Sequence, residues 1–230
     1  MKLRFASYNI HKAVGTDRRR DPERIMAVLR ETHADVIALQ EADKRLGMRE
    51  AVLSRAMIDD SPWRLVTLAK RAQSMGWHGN AILVRRDLPI DECHALDLPT
   101  LEPRGAACAV IVAGKTRFRV IGTHLDLSGL KRREQVRTLL RFVGEHGDMP
   151  TVILGDFNQW GHGTGAMREF AAGWTVLAPG PTYPSRAPVA RLDRIVHCGA
   201  WQSGESAVHH SALASVASDH LPIYADLAPG

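Results

Sequence analysis

The chain has 230 residues, 45% hydrophobic and 24% charged. That is enough to bury a core without disulfide or metal staples, and it excludes a disordered or fibrous chain. The formal net charge of +5 favours anionic partners, while Cys93, Cys108 and Cys198 are too scattered for a disulfide framework or a CxxC metal site.

In chain order, residues 3–8 form the first strand candidate, and they follow no signal-like leader. A loop containing Gly15, Thr16 and Asp17 leads into a helix with Asp21 as N-cap and Pro22 at its first position. Ile25, Val28 and Leu29 then recur at helical spacing. The continuous apolar run Val36-Ile37-Ala38-Leu39 suits a strand covered on both faces, and residues 81–84 form another short strand. Residues 106–112 and 117–122 read as a hairpin turning at Gly114-Lys115. Residues 131–146 place Val136, Leu139, Leu140 and Val143 on one helical stripe, and residues 151–154 form a strand. Residues 192–196 and 222–227 are the last two strands. The proline-rich loop at residues 179–188 is too short for a domain linker, and no repeat or low-complexity tract is present. Many strands with a few amphipathic helices predict one domain over residues 1–230, with two packed sheets and helices outside. No apolar run approaches the ~20 residues of a membrane span, so a soluble cytoplasmic protein is expected.

The polar residues cluster where strands end. Asn9-Ile10-His11, Gln40-Glu41, His124 and Gly155-Asp156-Phe157-Asn158 each follow an apolar strand, and Asp219-His220 precedes the last one. Strand ends on one rim bring residues distant in sequence into one cleft. A hard cation such as Mg2+ prefers carboxylate oxygens and water, which makes Glu41 and Asp219 candidate ligands. Asp156 suits orienting or deprotonating an attacking water, and Asn9 and Asn158 offer amides to a ligand or a phosphate oxygen. His124 and His220 can donate to phosphoryl oxygens as charge builds, and Asp193 can orient a histidine through one ring nitrogen. Taken singly, each has an ordinary reading as a turn residue, a solvated strand end or a half-buried histidine. Their joint occurrence carries the case. No activated Ser or Cys stands near these motifs, so direct attack by water is expected.

The ordered set Ser7-Tyr8-Asn9-Ile10, Leu39-Gln40-Glu41, Gly79-Asn80-Ala81, Gly122-Thr123-His124-Leu125, Gly155-Asp156-Phe157-Asn158, Leu192-Asp193-Arg194-Ile195 and Ser218-Asp219-His220-Leu221-Pro222 resembles the endonuclease/exonuclease/phosphatase superfamily. The resemblance spans nearly the whole chain. It implies an α/β (α+β) fold, a four-layered α/β/β/α sandwich of two facing mixed sheets with outer helices. It also implies a Mg2+ or Mn2+ site and hydrolysis of a phosphomonoester or phosphodiester. By the same resemblance Asn9 and Glu41 face the metal with Asp219 nearby, Asp156 and Asn158 handle water and phosphate, and Asp193 supports His220.

His124 stands where the apurinic endonucleases of that superfamily carry a tyrosine. A histidine there resembles the deoxyribonuclease, sphingomyelinase and sugar- or inositol-phosphatase branches. His11 stands where the apurinic enzymes carry an aspartate, and the segment between Asn158 and Asp193 leaves little room for a long DNA-probing loop. Arg104 and His11 are candidate phosphate contacts. Arg132 and Arg133 read as a solvated helix face, Trp160 as a ligand-stacking or core residue, and His78 has no direction fixed by the sequence. The expected partner is a phosphate-ester substrate, whether nucleic acid, lipid headgroup or phosphorylated small molecule. A DNA/RNA nuclease and a non-catalytic phosphate-binding protein are the alternatives.

Overall fold

The structure is a computed structural model that describes residues 1–44, 49–68, 73–101, 103–161 and 163–230. The strands are β1 (Leu3–Asn9), β2 (Val36–Gln40), β3 (Trp63–Leu65), β4 (Ala81–Arg85), β5 (Ile90–Asp97) and β6 (Gly105–Ala113). They continue as β7 (Thr116–His124), β8 (Thr151–Asp156), β9 (Trp174–Leu177), β10 (Asp193–Cys198), β11 (Trp201–Val208) and β12 (Ile223–Pro229). The helices are α1 (Pro22–Thr32), α2 (Arg55–Asp59), α3 (Gly129–Glu145) and α4 (Ala214–Ala217). Two six-stranded sheets result, ordered β11-β12-β1-β2-β4-β3 and β5-β6-β7-β8-β10-β9.

The apolar pattern explains the layering. Phe5, Val36 and Ala38 of the first sheet pack against Val120, Val152 and Leu154 of the second, forming the core between the sheets. The alternate residues Ala6, Ile37 and Leu39 pack with Ile25, Val28 and Leu29 of α1. On the far side Ile121 and Ile153 pack with Val136 and Leu139 of α3. Strands covered on both faces read as continuous apolar runs, and the order helix, sheet, sheet, helix is the expected four-layered sandwich. Helix α1 starts where the sequence says: the Asp21 carboxylate accepts from the Arg24 amide at 3.0 Å, with Pro22 following. Helix α3 begins two residues before the expected 131, and the last strand ends two residues beyond the expected 227. No helix among the described residues is long and apolar enough to cross a membrane.

The topology fixes the working rim. Strands β1 and β2 are parallel, as are β7 and β8, and a helix crosses over between the members of each pair. Parallel strands end on the same side, so Asn9 pairs with Gln40 and His124 with Asp156. Strands β10 and β12 run antiparallel to these neighbours, so their first residues come to that rim. Asp193 pairs with Asp156, and Ile223, just past Asp219-His220, pairs with Ser7.

Candidate active site

Asp156 is the hub where the two sheets meet. Its Oδ2 accepts from Asn9 Nδ2 at 3.1 Å across the interface. The same oxygen lies 3.4 Å from His124 Nε2 and 3.7 Å from His220 Nε2. Its Oδ1 accepts the Asn158 backbone N–H at 2.9 Å, an Asx-type turn in which Asn158 sits at φ 50°. Asn158 Nδ2 donates to the Leu125 carbonyl at 2.8 Å, fastening this turn to the end of β7. Gly155 is required one residue earlier, because a Cβ there would stand 1.8 Å from the Thr123 carbonyl oxygen, and its φ is +156°. Arg194, buried behind the hub, donates to the Gln159 and Asp193 carbonyls, each at 3.0 Å. Burial pushes its guanidinium down to about 10.

His220 is held by Asp193. Its Nδ1 lies 2.9 Å from Asp193 Oδ2, which also accepts from Thr182 Oγ1 at 2.6 Å. The Tyr183 ring packs 5.0 Å from the imidazole. Burial opposes a charge on His220, but Asp193 and Asp156 outweigh it and push the imidazole up to about 10. His124 goes the other way. Burial pulls it down to about 4, with Arg104 reinforcing and Asp156 opposing that shift. One carboxylate thus stands between a charged and a neutral histidine.

Glu41 forms the other half. It follows the last residue of β2 at a left-handed φ of 55°, and the Lys12 ammonium rests on its carboxylate. Burial disfavours its charge, yet the Lys12 ammonium against it holds the carboxyl below its ordinary value. Glu41 and His124 line an open cleft together with Lys12, His78, Gly79 and Arg104. His11, Lys12, Glu41, His78 and Asn158 all adopt left-handed backbone without being glycine. Such strain gathers where a scaffold holds reactive groups.

The structure therefore joins Asn9, His124, Asp156, Asn158, Asp193 and His220 in one contact network, and places Glu41 and Arg104 in the adjoining cleft. Asp219 stands at the margin, its Oδ1 3.8 Å from His11 Nδ1 and 3.4 Å from Ser218 Oγ. His78 does reach the cleft. Trp160 is 67% exposed and so is not a core residue. Arg133 is paired with Glu169, whereas Arg132 folds back onto the Asp126 and Leu127 carbonyls. Sequence reasoning missed Lys12, Thr182 and Tyr183. Lys12 follows His11 directly, and the other two lie in the proline-rich loop.

A model of the Endonuclease/Exonuclease/phosphatase family matches residues 6–220, and the chain belongs to that family. Its members are phosphoesterases, among them nucleases and phosphatases, and generally use divalent metals. The chain is similar to the Uncharacterized protein YbhP of Escherichia coli (strain K12), 29% identical over 247 residues covering 98% of this chain and 96% of that one. Among solved structures it is similar to humanized D. rerio TDP2, with a TM-score of 0.76, 18% identity and 99% of each chain covered. It is likewise similar to the mannosyl-6-phosphatase Bt3783 of Bacteroides thetaiotaomicron VPI-5482, with a TM-score of 0.76, 18% identity, and 98% of this chain and 99% of that one covered. These two likenesses show the fold.

Proposed function

We propose that residues 1–230 form one catalytic domain, a divalent-metal-dependent phosphoesterase that hydrolyses a phosphodiester or phosphomonoester by direct attack of water. The observation that carries this reading is the buried chain Asp193–His220–Asp156, joined through His124 to the cleft that holds Glu41.

Glu41 suits a hard divalent cation. It is a partly buried carboxylate with a lowered pKa, and a cationic side chain already rests against it. Asn9 and Asp219 would add oxygen donors, the preference of Mg2+ or Mn2+. Asp156, Asp193 and His220 also present ligand atoms within 4.8 Å of one another. They are a poorer metal site, because a charged imidazole bonded to Asp193 offers no lone pair. When bound, the metal supplies Lewis-acid neutralisation of phosphoryl charge.

The protein's own groups divide the remaining work. His220 already carries its proton at neutral pH, which suits it to donate to a phosphoryl oxygen and not to act as base. Asp156 takes the base role: the Asn158 amide fixes Oδ1, and Oδ2 accepts the proton of the attacking water. Asn9 aims that oxygen, and neutral His124 positions the phosphoryl group. Asp193 acts through His220, setting its tautomer and favouring its charge. Charge neutralisation and positioning are the main demands of phosphoryl transfer.

The test is an activity panel with added Mg2+ or Mn2+ and with chelator: bis-p-nitrophenyl phosphate, plasmid and single-stranded DNA, RNA, sphingomyelin and phosphoinositides. Metal-dependent hydrolysis of at least one is expected. Inertness toward all of them would sink the reading.

A further inference from the structure

The cleft opens onto a rim whose surface has a composition of its own. Five of the six large apolar side chains exposed among the described residues are Leu101, Leu127, Leu130, Trp160 and Val189, each at least 67% exposed. All five stand at the working rim. Leu101 precedes β6, Leu127 and Leu130 follow β7, Trp160 follows β8 and Val189 precedes β10. The adjoining strand ends carry His124, Asp156 and Asp193 or pair beside them. The sixth, Met1, lies ahead of β1, at the opposite end of the sheets. A single exposed leucine needs no explanation, but the gathering of such residues on one rim does.

Hydrogen bonds bring four of the five together on the side of the second sheet. The Asp126 carboxylate accepts the Leu101 amide at 3.2 Å and the Ser128 amide at 2.8 Å, tying the connection before β6 to the one after β7. Arg132 donates to the Leu127 carbonyl at 2.6 Å and to Gln159 Oε1 at 3.3 Å, which brings the residue before Trp160 alongside. The side of the first sheet is cationic. A bridge between Val14 and Arg20 closes a tight loop after Lys12 and leaves Arg18, Arg19 and Arg20 exposed. Arg186 donates to Thr16 Oγ1 at 2.8 Å, which sets the loop carrying Val189 against this one. Arg18, Arg19, Arg20 and Arg186 form no ion pair among the described residues. Of the neighbouring acids, Asp17 is taken by Arg24 and Asp21 caps α1, which leaves Glu23 against these four arginines.

We propose that this rim docks the protein onto an anionic membrane surface, with the apolar tips in the interface, the arginines among the headgroups and the cleft opening toward the bilayer. The inference concerns where the protein works, and it does not rest on the phosphoesterase reading. No helix among the described residues is long and apolar enough to cross a membrane, and the docking proposed is peripheral. The side-chain types decide the occupant. Apolar burial and attraction between arginines and anionic headgroups add at such a surface, and tryptophan suits its boundary. Four of the five tips are aliphatic and offer no ring face for bases to stack on, as a single-stranded nucleic acid would use. A protein partner is met by an apolar centre within a polar rim. Here the order is reversed, with a polar cleft at the centre and apolar tips and arginines on its two sides.

Vesicle co-sedimentation in chelator tests the docking without turnover. The probes are vesicles of phosphatidylcholine alone and of phosphatidylcholine and phosphatidylglycerol in equal parts. Wild type should bind the mixed vesicles at least about tenfold more tightly, since each arginine near an anionic surface strengthens partitioning about fivefold. Arg19→Glu should weaken that binding about tenfold or more. Lys115→Glu, an equal charge reversal on the exposed β6–β7 turn at the opposite rim, should change it by less than about twofold. Leu127→Ser/Leu130→Ser should weaken it at least about fivefold. Mixed vesicles should also shift tryptophan emission to the blue, and Trp160→Phe should remove most of the shift. Absence of binding, equal binding to both vesicles, equal losses in Arg19→Glu and Lys115→Glu, an undiminished leucine variant, or a blue shift that survives in Trp160→Phe would overturn the proposal. A single-stranded oligodeoxynucleotide, or a second copy of the chain in a dimer, that needs the two leucines while the vesicles do not would give the rim to that partner and overturn it as well.

Discussion

His220 Nδ1 lies 2.9 Å from Asp193 Oδ2, and both side chains are buried at the rim where the two sheets meet. The contact joins the first residue of β10 in one sheet to a residue just ahead of β12 in the other. It explains how a histidine with so little contact with water can keep its proton.

That pairing has a pH signature. His220 is raised to about 10 in the folded protein, against an ordinary value of about 6.5. A raised folded value means that the folded state binds the proton more tightly. The stability it contributes is complete below about pH 6.5 and is lost as pH rises through the folded value. Asp193→Asn removes the largest of the charges that raise it. In metal-free protein, the stability gap between wild type and this variant should be widest near pH 6 and shrink toward pH 10, read by denaturant unfolding at each pH. A gap that stays constant over that range would show that Asp193 does not hold the His220 proton.

Asp156→Asn keeps the shape of the hub but removes the proton acceptor. Loss of a general base lowers turnover by about 10²–10⁴-fold. The fall should appear in kcat with little change in KM, because the lost help is used only in the transition state. A variant with near-normal kcat and a raised KM would assign Asp156 to ground-state binding.

Gly155→Ala tests the close approach behind the hub. The new methyl would collide with the Thr123 carbonyl, and its neighbour is backbone that cannot rotate away. Overpacking of this kind costs about 1–3 kcal/mol, measurable as a lower denaturant midpoint. A variant as stable as wild type would mean that β7 and β8 separate here at little cost.

The core of this fold was legible in the sequence and its margins were not. Strands β1, β2, β4, β6, β7, β8, β10 and β12 lie inside the sheets, and their runs of Val, Ile, Leu and Ala announce burial. Strands β3, β5, β9 and β11, which the sequence reading left out, are the four sheet edges. An edge strand has neighbours on one side only, and β5 and β11 expose most of their first halves to solvent, so Asp91-Glu92-Cys93 and Gln202-Ser203-Gly204-Glu205 carry no apolar signal. The site divides in the same way. Asn9, Glu41, His124 and Asp156 were readable because each follows an apolar run. Lys12 and Thr182 were not, since each reaches its partner only through the fold, Lys12 touching Glu41 and Thr182 touching Asp193.

The most direct measurement is a metal titration of bis-p-nitrophenyl phosphate hydrolysis by wild type and Glu41→Gln. Wild type should be inactive in chelator and recover with added Mg2+ or Mn2+. Glu41→Gln should need at least about tenfold more metal for half-maximal rate, in line with the loss of a hard oxygen charge from the ligand set. Superimposable metal curves for the two proteins, or undiminished hydrolysis in chelator, would contradict the account.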